Sequence, residues 1–148
     1  MTAGASVHAS AVKVGDRAVL IRGPSGSGKS RLAFDLILAG RAGQTRPAIL
    51  VGDDRVHLDT RGGELWVRPA PELEGLIEIR GLGIRRLECA AEARVGLVVD
   101  LSAPAAERLP PPEALVISVY GIKIPGILIG SGYQPLPLVV AALTTTES

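Results

Sequence analysis

The sequence is poor in cysteine, aromatic residues and long apolar runs. Its one cysteine, Cys89, can form no internal disulfide and has no CxxC partner for a metal, so we expect a small, half-buried residue there. Aromatic residues make up 3% of the chain and hydrophobic residues 47%, which predicts a folded core of aliphatic side chains. Apolar runs such as residues 48–51 are far shorter than the roughly 20 residues of a membrane span. Because residues 1–10 also lack a signal-peptide pattern, we expect a cytoplasmic protein without a membrane partner.

The net charge bears on the possible partners, and the length on the number of domains. The formal net charge of +1 offers no basic field for nucleic acid. A length of 148 residues suffices for one packed core, so we expect a single domain over residues 1–148. Lysine is scarce, with only Lys13, Lys29 and Lys123 among the 16 basic residues. A lysine inside a glycine-rich motif is therefore unlikely to arise from composition.

Short strands and turns dominate the pattern. Residues 18–22 form the second strand of a hairpin that turns at Gly15 and Asp16, and a helix of about three turns follows, ending at Gly40 in a left-handed conformation. "AILVGDDRVHLD" reads as one buried strand that becomes polar, and "TRGGEL" as a hairpin turn. Gly121, Pro125, Gly126 and Gly130 break the strand-like runs near the end. With only one long helix, we expect an α/β fold with a mixed, largely antiparallel sheet.

The stretch "GPSGSGKS" between a strand and a helix predicts a phosphate-binding loop for ATP. Its glycines let successive backbone N–H groups point at phosphate oxygens, and the helix that follows adds the positive end of its dipole. Lys29 would contact the β and γ phosphates and the Ser30 hydroxyl would bind Mg²⁺. The predicted nucleotide-binding residues are Gly23, Pro24, Ser25, Gly26, Ser27, Gly28, Lys29 and Ser30.

Three segments of the sequence offer carboxylates that could bind the metal or assist phosphoryl transfer. Asp53 and Asp54 follow an apolar strand, and one of the two can face the phosphates. Asp100 ends a similar strand, but we favour a turn-forming role for it. Glu78 alternates with Ile77 and Ile79 along an extended segment, which separates it from the core face. With Arg80 beside it, Glu78 suits either a metal and nucleotide site or a plain ion pair. We assign Asp53 and Ser30 to the metal, and the residues alone leave both interpretations of Glu78 open.

Histidine and arginine candidates are ambiguous from the residues alone. His8 has the ordinary alternatives of a solvated or capping residue, and His57 is expected to be a half-buried strand residue. Arg108 lies in a proline-rich loop, where it is either an exposed charge or a member of the site.

Taken in order, "VHASAV", "GPSGSGKS", "VGDDRV" and "IEIRGLGI" resemble the catalytic domain of the HPr kinase/phosphorylase family. The resemblance runs from about residue 7 to 112 and is most specific at "EIRGLGI". It implies a fold akin to phosphoenolpyruvate carboxykinase, dependence on ATP and Mg²⁺, a homo-hexamer, and phosphorylation of a serine in HPr, a phosphocarrier of the sugar phosphotransferase system. It also implies, in many members, removal of that phosphate by phosphorolysis.

The resemblance assigns roles to particular residues. His8 falls at the family's active-site histidine, Lys29 at the catalytic lysine and Asp54 at the aspartate that transfers the proton. Ser30 and Glu78 fall at the two Mg²⁺ positions, and Arg108 at the catalytic arginine.

Three departures accompany the resemblance. "AGQTRP" is longer than the family's connection between helix and acidic strand. "IPGILIGSGYQPLPL" has none of the arginines that the family carries in its segment for dephosphorylation. A C-terminal helix that contacts the substrate is expected to be absent or much reduced. The alternative functions are a small-molecule kinase or ATPase, and a nucleotide-sensing module without catalysis.

Overall fold

A computed structural model describes residues 5–146 of the chain. In that range it has two α-helices, α1 (Lys29–Arg41) and α2 (Pro135–Thr144), and eleven strands. The strands are β1 (Ala5–Val7), β2 (Ser10–Val14), β3 (Arg17–Arg22), β4 (Ala48–Gly52), β5 (Val56–Arg61), β6 (Glu64–Pro69), β7 (Leu76–Ile79), β8 (Gly83–Arg86), β9 (Ala93–Leu101), β10 (Val116–Val119) and β11 (Ile122–Ile129).

The main sheet has nine strands, with the path β1-β5-β6-β9-β3-β2-β4 and with β11 and β10 joined on at β9. Only the β3–β9 and β9–β11 pairs are parallel, and the other neighbours are antiparallel. The first part of β9 pairs with β6 and its last part with β11, so the sheet curls at this strand. This confirms the expected mixed, largely antiparallel α/β fold.

Four strands of the main sheet end at the same edge. Since β9 is parallel to both β3 and β11, and β4 is related to β3 through two antiparallel steps, all four strands run the same way. We call the edge of the sheet at which β3, β4, β9 and β11 end the carboxyl edge. Loops leave this edge after Arg22, Gly52, Leu101 and Ile129. Open sheets with several strand ends at one edge form crevices there, which is where ligands bind in α/β folds.

Both faces of the sheet are covered at β3, which explains why this strand is apolar between its terminal arginines. Val19 and Ile21 join a core cluster with α1, whereas Ala18 and Leu20 join a second cluster on the opposite face. Successive side chains of a strand point to opposite faces, so a strand buried on both needs a continuous apolar run. The hairpin turn at Gly15 and Asp16 is confirmed.

The predicted end of the first helix was wrong. Gly40 stays helical, α1 continues to Arg41, and the left-handed residue is Gly43, with φ of 77°. Gly40 has a packing role instead, because a Cβ there would lie 2.8 Å from the backbone nitrogen of Ala48 at the start of β4. The glycine lets the helix lie close to the sheet.

The segment "AILVGDDRVHLD" is two strands, not one. β4 ends at Gly52, and the amide of Arg55 donates to the carbonyl oxygen of Asp53 at 2.7 Å, closing a three-residue turn before β5. Asp54 at its centre has φ of 67°, a conformation that aspartate adopts more readily than most residues. The two aspartates therefore occupy a turn at the carboxyl edge.

A second helix was missed near the end of the chain. α2 begins at Pro135 and includes Pro137, and proline is tolerated in the first turn, whose N–H groups have no partner in the helix. Leu136, Val139 and Leu143 pack into the cluster beneath α1. Further upstream, Pro125 and Gly126 lie within β11 and do not break it. Neither helix between residues 5 and 146 has the length and apolar character that crossing a membrane requires.

Candidate active site at the carboxyl edge

The glycine-rich loop, residues 23–28, joins β3 to α1 at the carboxyl edge. Gly26 and Gly28 have φ of 80° and 99°, which favours glycine at both positions. Among residues 5–146 no side chain caps the start of α1, and the first turn of this helix contains no acidic residue. The first N–H groups of the helix thus remain available to an anion, together with the positive end of the dipole.

Two side chains, one in this loop and one at the start of α1, are placed to meet a phosphate ligand. The hydroxyl oxygen of Ser27 is buried and has no hydrogen-bond partner in the described part of the chain. Lys29 Nζ donates to the carbonyl oxygens of Gly23 and Pro24, at 2.9 and 3.1 Å, which holds the ammonium group against the loop. Buried polar groups normally find a partner, so the Ser27 hydroxyl is free to donate to a ligand oxygen.

Asp53 is the centre of the site, with an exposed fraction of 3%. Its carboxylate accepts hydrogen bonds from Ser30 Oγ at 2.8 Å, from Ser10 Oγ at 2.6 Å and from the backbone amide of Glu78 at 3.0 Å. These donors come from α1, β2 and β7. A buried carboxylate needs such partners, and here they join the glycine-rich loop to the acidic turn.

Asp54, the neighbour, is placed differently. Its side chain is exposed at the centre of the turn that follows β4. The expected separation of the two carboxylates is therefore present, with Asp53 contacting Ser30 and Asp54 facing solvent at the same edge. Arg55 pairs with neither of them in the described structure.

Arg55 instead connects the acidic turn to the N-terminal strand. Its guanidinium donates to Ser6 Oγ at 3.0 Å and lies 3.1 Å from His8 Nε2. His8 is exposed and follows β1. The structure thus brings His8 to the turn that carries Asp53 and Asp54, through one intervening side chain.

Glu78 lies beside Asp53, on a small two-stranded sheet formed by β7 and β8. Ile77 is buried and Glu78 exposed, as the alternation predicts. Arg80 is exposed beyond the end of β7. Arg108 is exposed in the proline-rich loop after β9, and no hydrogen bond or ion pair holds it within the residues that the structure describes.

Sequence reasoning missed two partners of the site. Ser10 is fully buried, and the signal for it was a hydroxyl residue at the start of a largely apolar strand. Asp100, interpreted as a turn former, lies within β9, and both of its oxygens accept from Arg22, at 2.7 and 2.9 Å. Arg22 directly precedes the glycine-rich loop, so this pair anchors the start of that loop.

The clear pKa shifts lie elsewhere. Burial raises the pKa of the half-buried Cys89 thiol. Arg61 donates hydrogen bonds to Glu92 and to Asp59. These bonds lower the pKa of Glu92 and raise the pKa of Arg61. Arg61 and Asp59 lie on β5 with Glu92 bonded to Arg61, whereas Cys89 follows β8 and bridges to Leu50 of β4.

The oxygen donors at the carboxyl edge suit Mg²⁺. Between residues 5 and 146 there is no cluster of three or more histidine, cysteine or acidic residues to hold a metal. Mg²⁺ does not need one, since it binds through one or two carboxylates together with substrate phosphates and water. Asp53, Ser30 and Glu78 fit that pattern. The Ser30 hydroxyl donates to the Asp53 carboxylate, and the backbone amide of Glu78, on the separate β7–β8 sheet, donates to the same group.

Comparison with known proteins places this site in a family. The family described as "HPr Serine kinase C-terminal domain" matches residues 1–129. The HPr kinase/phosphorylase of Caldicellulosiruptor bescii is 35% identical over 134 residues, covering 82% of this chain and 40% of the relative. That of Geobacillus kaustophilus is 40% identical over 104 residues, covering 65% and 31%. The chain therefore spans less than half the length of these relatives.

A solved structure agrees with the sequence match. The Hpr(Ser) kinase/phosphatase from Coxiella burnetii matches with a TM-score of 0.73 and 26% identity, over 94% of this chain and 87% of that one. The family match and the shared fold lead to one conclusion. The chain belongs to the HPr serine kinase C-terminal domain family.

Proposed function

We propose that this chain is a Mg²⁺-dependent kinase that transfers the γ-phosphoryl group of ATP to a serine of an HPr-type phosphocarrier. The observation that supports this most is the buried Asp53 carboxylate, hydrogen-bonded to Ser30 where the glycine-rich loop enters α1. An acidic residue bonded to the hydroxyl after the loop lysine is the arrangement that phosphate-loop enzymes use for metal and phosphate. The names of the relatives supply the acceptor.

The glycine-rich loop holds the phosphates in this proposal. Backbone N–H groups of residues 23–28 and the start of α1 bind their oxygens, and Ser27 donates its unpartnered hydroxyl. The Lys29 ammonium exchanges the carbonyl oxygens of Gly23 and Pro24 for the β and γ phosphates. This exchange is reasonable because a charged acceptor binds an ammonium group more strongly than a neutral carbonyl does.

Asp53, Ser30 and Glu78 hold the metal. When bound, Mg²⁺ neutralises charge on the phosphates. Ser10 and the Glu78 amide orient the Asp53 carboxylate, so its position is set before the nucleotide binds.

Asp54 accepts the proton during transfer. The serine oxygen forms a bond to the γ phosphorus, the bond from that phosphorus to the ADP oxygen breaks, and the serine proton passes to the Asp54 carboxylate. The exposed position of Asp54 at the carboxyl edge supports this role, because a protein hydroxyl must reach it from solvent. His8 positions the acceptor, and Arg108 stabilises charge on the transferred group from its loop.

The same carboxylate would serve the reverse reaction. A protonated Asp54 returns its proton to the serine oxygen as inorganic phosphate attacks phosphoserine and forms pyrophosphate. The relatives are named kinase/phosphorylase, which supports testing both directions. A hexamer, which the resemblance implies, stays a prediction that sedimentation velocity can check.

The test is transfer of label from γ-labelled ATP, with Mg²⁺, to the HPr-type carrier of the same organism. Wild type should label a carrier serine, and Asp54→Asn should lower the rate about 10²-fold or more while nucleotide affinity persists. Asn suits a left-handed backbone, so this variant changes charge without adding strain. Added phosphate should then remove label from the carrier if phosphorolysis operates.

Asp16→Asn is the matched control. Asp16 is also an exposed aspartate in a turn, but it lies at the opposite edge of the sheet. The Asp16→Asn variant should label the carrier at the wild-type rate. ATP hydrolysis without carrier labelling would favour an ATPase or small-molecule kinase, and tight nucleotide binding without turnover would favour a sensing module.

A further inference from the structure

Four large apolar side chains are far more exposed than the rest of their kind. Within residues 5–146, Leu82 and Ile84 are each 62% exposed, Tyr133 is 74% and Leu109 is 83%. The other exposed large apolar residues lie between 43% and 48%. Strongly exposed apolar residues that share a region mark interaction surfaces.

All four lie on segments at the carboxyl edge. Leu109 belongs to the loop that follows β9, and Tyr133 to the loop that follows β11. These two loops are joined, since the amide of Ala103 donates to the carbonyl oxygen of Ile129 at 2.9 Å. Leu82 and Ile84 lie on the β7–β8 hairpin, which reaches the same edge through the bond from the Glu78 amide to Asp53. We name these four residues the apolar rim.

The hairpin register places part of the rim beside the metal position. Glu78 and Ile84 are directly opposite each other in the β7–β8 pair, so both side chains lie on one face of the hairpin. The exposed isoleucine therefore neighbours the carboxylate assigned to Mg²⁺. The same hairpin has three exposed arginines that form no ion pair within the described residues, namely Arg80, Arg85 and Arg86.

A small acceptor would need an enclosed pocket beside the glycine-rich loop. Two cavities, of about 390 and 160 Å³, lie elsewhere. The first is lined by Lys13, Arg41 and Leu87, and the second by Arg17, Arg94 and Lys123. Neither includes a residue of the glycine-rich loop. An open face with an apolar rim suits a protein surface better than a small metabolite.

We propose that the apolar rim is the docking surface for the acceptor protein, and this rests on the proposed function. The rim contacts an apolar patch next to the target serine, while carboxylates of the acceptor pair with the hairpin arginines. Docking then delivers the serine hydroxyl to Asp54 at the carboxyl edge. The rim serves acceptor binding and leaves nucleotide binding to the loop and α1.

The test uses the 148-residue chain with Leu82→Ser and Ile84→Ser combined, and separately with Tyr133→Ser. Transfer rates are measured against carrier concentration, and nucleotide affinity by calorimetry. The double variant should raise KM for the carrier about tenfold or more, with little change in nucleotide affinity, because exposed anchors contribute to association. Tyr133→Ser should likewise raise KM for the carrier and leave nucleotide affinity almost unchanged.

Leu38→Ser is the control, since Leu38 is 43% exposed on α1 and lies outside the rim. It should leave KM for the carrier unchanged. Unchanged KM in the rim variants of an active wild type overturns this inference alone. Absence of transfer by wild type overturns the proposed function and the assigned occupant together. A fall in oligomer mass for the rim variants, seen by sedimentation velocity, would make the rim an interface between copies and also overturn it.

Discussion

The Ser10 hydroxyl donates to Asp53 Oδ1 at 2.6 Å, and both residues are buried. Ser10 is the first residue of β2, and Asp53 lies in the turn after β4. Ser10 holds Oδ1 of the carboxylate, whereas the Glu78 amide donates to Oδ2. Ser10 is thus a positioning residue for the group assigned to Mg²⁺.

Ser10→Ala should weaken Mg²⁺-dependent nucleotide binding. The variant removes one donor from a buried carboxylate, which costs about 1–3 kcal/mol of stability and loosens the Asp53 side chain. Nucleotide affinity is measured by calorimetry with and without Mg²⁺. The factor by which Mg²⁺ raises this affinity should fall about three- to tenfold. The ratio of the two affinities removes the effect of lower stability.

Ser10→Thr serves as the rescue, because it retains the hydroxyl. Its added methyl group lowers stability in a fully buried position, yet the metal enhancement should return towards wild type. Equal enhancement in the Ala variant and in wild type would show that Ser10 supports only the fold.

Asp53→Asn should affect binding, whereas Asp54→Asn should affect transfer. Asn at residue 53 keeps the size of the side chain but loses the negative charge that favours Mg²⁺. We expect nucleotide affinity to become nearly independent of Mg²⁺ in Asp53→Asn and to keep its dependence in Asp54→Asn. Calorimetric Mg²⁺ titrations at fixed ATP analogue compare the two. A loss of metal dependence in both variants would contradict the division of roles.

Arg22 and Asp100 should be coupled in stability. The two residues form a bidentate ion pair between β3 and β9, and their side chains are 35% and 25% exposed. Arg22→Ala and Asp100→Ala should each lower the free energy of unfolding by about 1 kcal/mol, with the double variant losing less than the sum. Urea denaturation of the four proteins measures this. Strictly additive losses would mean that the pair contributes no interaction energy.

Stability should also depend on acid through Glu92. Hydrogen bonds from Arg61 lower the pKa of Glu92 from its ordinary value of 4.5, so the contribution is present above that pH. It is lost as the pH falls below 4.5 and through the lower pKa of the folded state. Glu92→Gln should therefore reduce the fall in urea midpoint on acidification. Glu113→Gln, at an exposed glutamate outside this pair, should follow the wild-type curve.

Much of the local structure was predictable because it depends on neighbouring residues. The hairpin at Gly15 and Asp16, the helix after the glycine-rich loop and the exposed face of Glu78 all follow from turn residues and periodicity. The turn that separates β4 from β5 could not be predicted in this way, since only the tertiary context makes Asp54 adopt a left-handed conformation. α2 was missed because its prolines indicate a loop unless they fall in the first turn.

By itself, the sequence determined that residues 23–30 form a glycine-rich loop entering a helix and that acidic residues follow a buried strand. Backbone conformation and side-chain alternation depend on local chemistry, so both can be read along the chain. Only the tertiary structure decided that Asp53 contacts Ser30, that Ser10 orients it, and that Arg22 holds Asp100. These contacts join residues 23 to 78 positions apart, and their geometry depends on how the whole sheet curls.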